Sequence, residues 1–399
     1  MTPRILVLGG CGGTGGRIVA DLLRLMPRAT VDAGGRRPPR HGGPYAPAGG
    51  GRWVAASVSA TAGSARSAGS AESAGSAGAG EAGEAGADDD GLVALLSAYD
   101  FVVLALGPFA MLRTAAHAAC IRAGVDCLDI NDDPAVAREI MELHEAAGAE
   151  GVRVLTGMGV NPGLSTALLY LLAGQHGRFA EAHVRLFAGG NEGAGRASTW
   201  TMLHGLSPRV CELRGGFEAW VPADDAGPMR DDVFPGVGDC VPAIHCFSAE
   251  AALLELSAAR GLPLPADSVT YRMHFQGMPR RMAGVLRRFS AWDHPRAAAL
   301  TGLFHAMHRM GSTAVRNLAR STLAVRCRGG QGAYTAFATG ETTFGLTAAY
   351  AAATAYRHLR APDALPPGVH ATTPALPWLR DALDDVAALH VRVATIEGA

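Results

Sequence analysis

The chain contains no lysine, so all 35 of its basic residues are arginine. Schiff-base catalysis by a side-chain amine is therefore excluded, and so is a lysine proton donor. Acid–base work falls to His, Tyr, Cys, Asp, Glu or water. The seven cysteines are scattered, odd in number and without a C-x-x-C pair. They read as free thiols in a reducing compartment, with no metal site expected. No uninterrupted apolar run reaches the length of a membrane span. The opening MTPRILVLGG lacks the charged start, apolar run and small-residue cleavage site of a signal peptide. Net charge is −1 and no basic block stands out, which argues against nucleic acid. The expectation is a cytoplasmic protein acting on a small molecule, with neither membrane nor nucleic acid as partner and with a homodimer left open. The arginine-only, Gly/Ala-rich composition points to a bacterial source.

What is present is a globular composition. Hydrophobic residues make up 48% of 399 positions and charged residues 18%, enough for two domains or one large α/β unit. Residues 1–160 alternate strand-like and helix-like patterns. Arg4–Leu8 and the run FVVLAL at Phe101–Leu106 read as strands buried on both faces of a parallel sheet. Gly15–Leu25, Met111–Ala123 and Pro134–Ala149 read as helices between them. This predicts an α/β fold: an N-terminal Rossmann-type, doubly wound parallel sheet. Residues 61–90 break the pattern with Gly/Ala/Ser repeats and a few acids, and read as a disordered insertion. Residues 161–340 read as a second, α+β substrate domain. Asn161-Pro162 is expected to cap its first helix, and Leu323–Arg328 with Ala333–Thr339 to form a hairpin. Residues 341–399 read as a helical segment packing back on the first domain and ending in a helix.

The stretch ILVLGGCGGTGGRI at 5–18 carries six glycines in eight positions. Gly10-Cys11-Gly12-Gly13-Thr14-Gly15 fits G-x-G-x-x-G between a strand and a helix, the context in which the pattern signifies a dinucleotide site. Gly10 is expected to make the tight turn, Gly12 to admit a pyrophosphate, and Gly15 to let the helix pack close to the strand. The N–H groups of Gly13, Thr14 and their neighbours would face the phosphates. The second strand should end in an acid if the nucleotide is NAD. Asp32 lies inside that strand, however, and Gly34-Gly35-Arg36-Arg37 follow. Arg36 and Arg37 suit a 2′-phosphate, so NADP is favoured over NAD.

These residues resemble the saccharopine dehydrogenase-like oxidoreductases. The resemblance rests on LVLGGCGGTGGRIVADLL, D-FVVLALGPF at 100–109, ACIRAGVDCLDINDD at 119–133 and GVRVLTGMGVNPGLS at 151–165. It continues in GLTAAYAAATAYRHL and PPGV near the end. It implies a nicotinamide cofactor, with Gly107, Pro108 and Phe109 lining its ribose and nicotinamide side. It also implies Asp129 and Asn131 near the reaction centre, Asp129 as a catalytic candidate and Asn131 as a cofactor contact. The family's members reduce imines, make polyamine precursors or reduce lipid enoyl groups, and those that use a lysine differ from this chain.

The 164–330 segment resembles the family least. There, Arg196 is a candidate clamp for a substrate carboxylate. Trp200 and His204, at i and i+4, share a helix face, with Trp200 a substrate contact and His204 a catalytic candidate. His245 and His274 sit in apolar strands. The favoured reading is NADP-dependent hydride transfer to or from a C=N bond of an amino-acid- or amine-derived molecule. An enoyl reductase and a non-redox NADP-binding sensor are the alternatives.

Overall fold

The computed structural model describes residues 2–36, 51–58, 85–189, 195–224, 234, 243–275, 284–287, 301–302, 320–330, 332–389 and 391–397. The first layer is built from β1 (Arg4–Leu8), α1 (Gly13–Leu25), β2 (Thr30–Gly35), β3 (Trp53–Ala55), α2 (Ala85–Leu96) and β4 (Phe101–Leu104). It continues through α3 (Phe109–Leu112), α4 (Ala115–Arg122), β5 (Cys127–Asp129), α5 (Pro134–Glu142), α6 (His144–Ala149) and β6 (Arg153–Leu155). These six strands are parallel and ordered β3-β2-β1-β4-β5-β6. That is the Rossmann order, whose switch point lies between β1 and β4. Ile5–Leu8 and Phe101–Leu104 are buried throughout, because helices cover both faces of the sheet.

The chain then enters α7 (Leu164–His176) and β7 (Phe179–Ala188), followed by α8 (Arg196–Gly205), β8 (Arg209–Arg214) and β9 (Phe217–Pro222). Next come β10 (Ala243–His245), α9 (Glu250–Ala259), β11 (Ala266–Phe275), β12 (Ser321–Gly329) and β13 (Gly332–Gly340). The last elements are α10 (Thr343–Arg360), β14 (Gly368–His370), α11 (Leu379–Ala388) and β15 (Arg392–Glu397). The second sheet is mixed and ordered β15-β13-β12-β7-β11-β8-β9, with β10 beside β11. Helix α10 packs on α1, and β14 adds to β6 as a seventh parallel strand of the first sheet.

Four sequence expectations change here. The tract 61–90 lies outside the described residues up to 84, but its last six residues form the start of α2. The helix expected over Met111–Ala123 is two, broken at Arg113, whose φ of 50° is the left-handed region. Asn161 does not cap α7, whose N-cap is Gly163. Instead Asn161 Nδ2 donates to Ser165 Oγ (3.0 Å) and Glu250 Oε2 (2.9 Å), which ties α7 to α9. The chain ends in a strand rather than a helix, since β15 pairs with β13. None of the helices described is long and apolar enough to cross a membrane.

Candidate active site

The glycine loop connects β1 to α1 at the switch point. Gly9 makes the left-handed turn (φ 85°), a role the sequence assigned to Gly10. A Cβ on Gly9 would lie 2.2 Å from the Ala105 carbonyl oxygen, and one on Gly10 2.9 Å from Ala33 Cα. The loop is thus pressed against the ends of β4 and β2. A Cβ on Gly15 would meet the Gly9 oxygen at 2.2 Å, so the close packing expected there between helix and strand is made against the loop instead. Gly12 is exposed and Gly13 faces open space. Thr14 follows in the first turn, and no side chain caps the helix start. Unpaired N–H groups at a helix N-terminus bind anions, so this cradle fits a dinucleotide phosphate.

Beside it, Gly9 N–H donates to Gly34 O at the end of β2 (2.8 Å). Arg36, two residues on, is exposed, whereas Arg37 lies outside the described residues. Asp32 is buried and fully engaged. Its Oδ2 accepts from Tyr99 Oη (2.8 Å) and its Oδ1 from Arg52 N–H (2.9 Å). It braces the sheet and offers no oxygen to a ribose.

At the carboxyl end of β4, Gly107 is exposed and Pro108 half-buried, but the Phe109 side chain turns into the core. Asp129, at the end of β5, is also fully buried. Its Oδ2 meets His117 Nε2 at 2.9 Å, and its Oδ1 accepts from the N–H of Asn131 (2.8 Å) and Gly157 (2.9 Å). Asn131 is buried too, exchanging hydrogen bonds with the Asp133 backbone. The structure therefore makes Asp129 and Asn131 braces of the strand end, with Phe109 a core residue.

The residues that do face open space follow directly. Asp133 caps α5, with Oδ1 accepting from Ala135 and Val136 N–H (2.9 and 3.0 Å). Its Oδ2 meets His204 Nε2 at 3.2 Å. Burial opposes its charge, but the His204 contact and the helix N–H groups outweigh this and hold the carboxyl below its ordinary range. Its neighbour Asp132 goes the other way: burial, then repulsion from Asp133, pushes it up to about 7. Two adjacent carboxyls with opposed shifts mark acid–base candidates.

His204 comes from α8, where it stacks on Trp200 (ring centroids 4.8 Å apart), so the i, i+4 expectation holds in space. Helix α8 lies against the loop after β4, since a Cβ on Gly107 would touch Ala197. Arg196 opens α8, and its side chain lies outside the described residues. His245 is buried against Glu212 (Nε2–Oε1 2.8 Å) and His274 is buried beside Phe234.

Between these elements is a cavity of about 620 Å³. One wall is Ala110, Met111, Arg113, Asp133, Pro134 and Ala135, from the ends of β4 and β5. The other is Trp200, His204, Ser207, Trp220 and Phe247, from the second domain. It opens where ligands of doubly wound sheets bind. Of this lining, sequence reasoning missed Asp133, Trp220 and Phe247. The β8–β9 hairpin that carries Trp220 did leave a signal: two short alternating runs about Gly215-Gly216, both of which take positive φ.

No family model matches the chain, and no curated protein matches it. Solved structures match weakly. An engineered D-amino acid dehydrogenase bound to NADP+ is 14% identical, covering 97% of this chain and 99% of that one, with a TM-score of 0.44. GenD2 from gentamicin A biosynthesis in complex with NAD is 14% identical over 100% and 97%, with a TM-score of 0.41. AtPrR2 with NADP+ and (+)pinoresinol is 19% identical over 39% of this chain and 50% of that one, with a TM-score of 0.24. The chain thus spans about half the length of AtPrR2. Likenesses of this strength assign no chemistry, which rests on the cradle and the cavity.

Proposed function

We propose that this chain is an NADP-dependent oxidoreductase of the saccharopine dehydrogenase-like kind. Its reaction moves a hydride to or from a C=N bond of an amino-acid- or amine-derived small molecule. The carrying observation is the cavity at the carboxyl ends of β4 and β5, walled by both domains, with the Asp133–His204 pair in its lining. The N–H groups of Gly13 and Thr14 at the start of α1, reached past Gly12, would hold the pyrophosphate on a loop shaped by Gly9, Gly10 and Gly15, and Arg36 the 2′-phosphate. When bound, the reduced nicotinamide supplies the hydride.

The protein's part is to orient, to exclude water and to manage one proton. Reduction of C=N adds hydride to carbon and a proton to nitrogen. An ionised Asp133 favours positive charge on that nitrogen. His204 is fixed through Nε2, and its Nδ1 has no partner among the described residues, so it can hold or release the proton at that atom. Apolar Met111, Pro134, Trp200 and Phe247 strip water from the site.

The test is a fluorescence titration of the pure protein with NADPH and, separately, NADH. NADPH is expected to bind about tenfold more tightly, and Arg36→Ala to erase that difference, as loss of a charge-assisted phosphate contact predicts. Binding of neither nucleotide at near-millimolar concentration would sink the proposal.

A further inference from the structure

The walls of the cavity also restrict what enters it. Four rings follow one another along its second-domain side. Trp200 stacks on His204, His204 meets the Phe247 ring edge-on at 5.2 Å, and Phe247 meets the Trp220 ring at 6.4 Å. The polar edge of Trp220 is already satisfied, since Nε1 donates to Glu218 Oε1 at 2.8 Å. Glu218 is itself held by Arg138 of α5, so the ring is anchored from the first domain.

The charges in the same lining are unequal. Arg113 is ion-paired with Glu139, both through Nε–Oε2 at 2.9 Å and through a second contact. Its charge is neutralised locally. Among the described residues, His204 is the side chain that pairs with Asp133. The lining therefore offers aromatic faces and a carboxylate, a combination that attracts an organic cation. A substrate bearing two carboxylates needs opposing cationic anchors. Among the described lining residues, Arg113 is the one arginine, and it is engaged.

Resting on the function proposed above, we infer that the substrate is an arylalkyl amine with a flat ring, or its iminium. It is seated as a cation among Trp200, Phe247 and Trp220, with Asp133 as counter-charge. Amine and iminium differ by two electrons. The C–H bond next to nitrogen forms from hydride given by NADPH while the nitrogen takes a proton from His204 to become the ammonium, or that C–H bond breaks to give hydride to NADP+ while the ammonium proton passes to His204. The C–N π bond opens or closes accordingly.

The experiment is calorimetric titration of the full chain with three probes that share a ring and chain length: 2-phenylethylamine, 2-phenylethanol and 3-phenylpropionate. The ammonium is expected to bind about tenfold more tightly than the alcohol, the size of a desolvated cation–π site. The carboxylate should bind most weakly. Asp133→Asn is expected to remove most of the ammonium's advantage while keeping the cap, because Asn caps helices as well as Asp does. Trp220→Ala is expected to weaken the ammonium more than the alcohol.

Equal binding of ammonium and alcohol by the unaltered chain overturns the inference, because the cavity then reads shape alone. Tighter binding of 3-phenylpropionate also overturns it, making Arg113 the anchor. NADPH titration of the same samples separates the two readings. Bound NADPH without ammonium preference removes only the amine inference. Ammonium preference without NADPH binding keeps the amine site and removes the oxidoreductase.

Discussion

Gly15→Ala and Gly13→Ala change neighbouring glycines of one loop by the same single methyl group, yet the structure separates them sharply. At Gly15 the added Cβ would stand 2.2 Å from the Gly9 oxygen, 2.7 Å from the Gly9 carbonyl carbon and 2.9 Å from Gly10 Cα. Ordinary contacts are about 3.5 Å, so α1 or the loop must shift by about 1 Å. Forcing atoms into a packed site costs about 1–3 kcal/mol. The atoms met here are backbone that cannot rotate away, which places Gly15→Ala at about 2–3 kcal/mol, or about 2–4 °C in Tm for a chain of this length. At Gly13 the same Cβ meets nothing within 4 Å, and the change should stay within about 0.5 kcal/mol of the parent. The assay is thermal unfolding of both variants without nucleotide, followed by NADPH titration. NADPH affinity should fall in Gly15→Ala, because the helix start moves off the loop. If Gly15→Ala melts with the parent, or both variants lose the same amount, the packing argument for the cradle is wrong.

Asp132→Asn should alter the pH dependence of stability. The native carboxyl rises from 3.8 to about 7, so the native state keeps a proton that the unfolded chain releases between those values. Stability therefore falls as pH rises through that window. Chemical denaturation should find Asp132→Asn more stable than the parent at pH 8 and similar near pH 4, and a pH-independent difference refutes the assignment. Glu250→Ala removes the shared acceptor of three buried donors, Asn161 Nδ2, Ser165 Oγ and Thr166 Oγ1, which now lie 2.7–2.9 Å from its carboxyl oxygens. Urea unfolding should show a loss of about 3 kcal/mol or more, and Glu250→Gln, which keeps one acceptor, a smaller one. A loss under about 1 kcal/mol in Glu250→Ala would mean that those donors do not depend on the carboxylate. Once a turned-over amine is in hand, His204→Ala should lower kcat by about 100-fold with NADPH affinity unchanged. An equal fall in NADPH affinity would make His204 part of the nucleotide site instead.

The first sheet was readable because its strands are buried on both faces and so appear as unbroken apolar runs, ILVL and FVVL. The glycine loop was readable because it sits between a strand and a helix. Trp200 and His204 were readable because their contact is set by one helical turn. What failed shares a cause, in that chain position names a neighbourhood but not a direction. Asp129 and Asn131 stand at a strand end where ligands bind, yet nearby N–H groups and His117 turn them inward. Asp133 looks like an ordinary cap before Pro134, and only the fold brings His204, 71 positions away, to its second oxygen. Asn161-Pro162 carries the local signature of a helix start, but Glu250, 89 positions on, claims the side chain. Trp220 and Phe247 reach the cavity only through packing of the second domain on the first.

The seventh strand of the first sheet comes from Gly368–His370 and runs along β6. During synthesis, β6 is complete more than 200 residues before its neighbour exists. Until then, the sheet that carries the glycine loop has a bare parallel edge, a surface on which other strands readily add. A chain stopped within the second domain therefore has six of the seven strands and an unpaired edge on β6. The strand β14 is thus the chain's own cover for that edge, supplied only after the second sheet's strands β7 to β13 have been made.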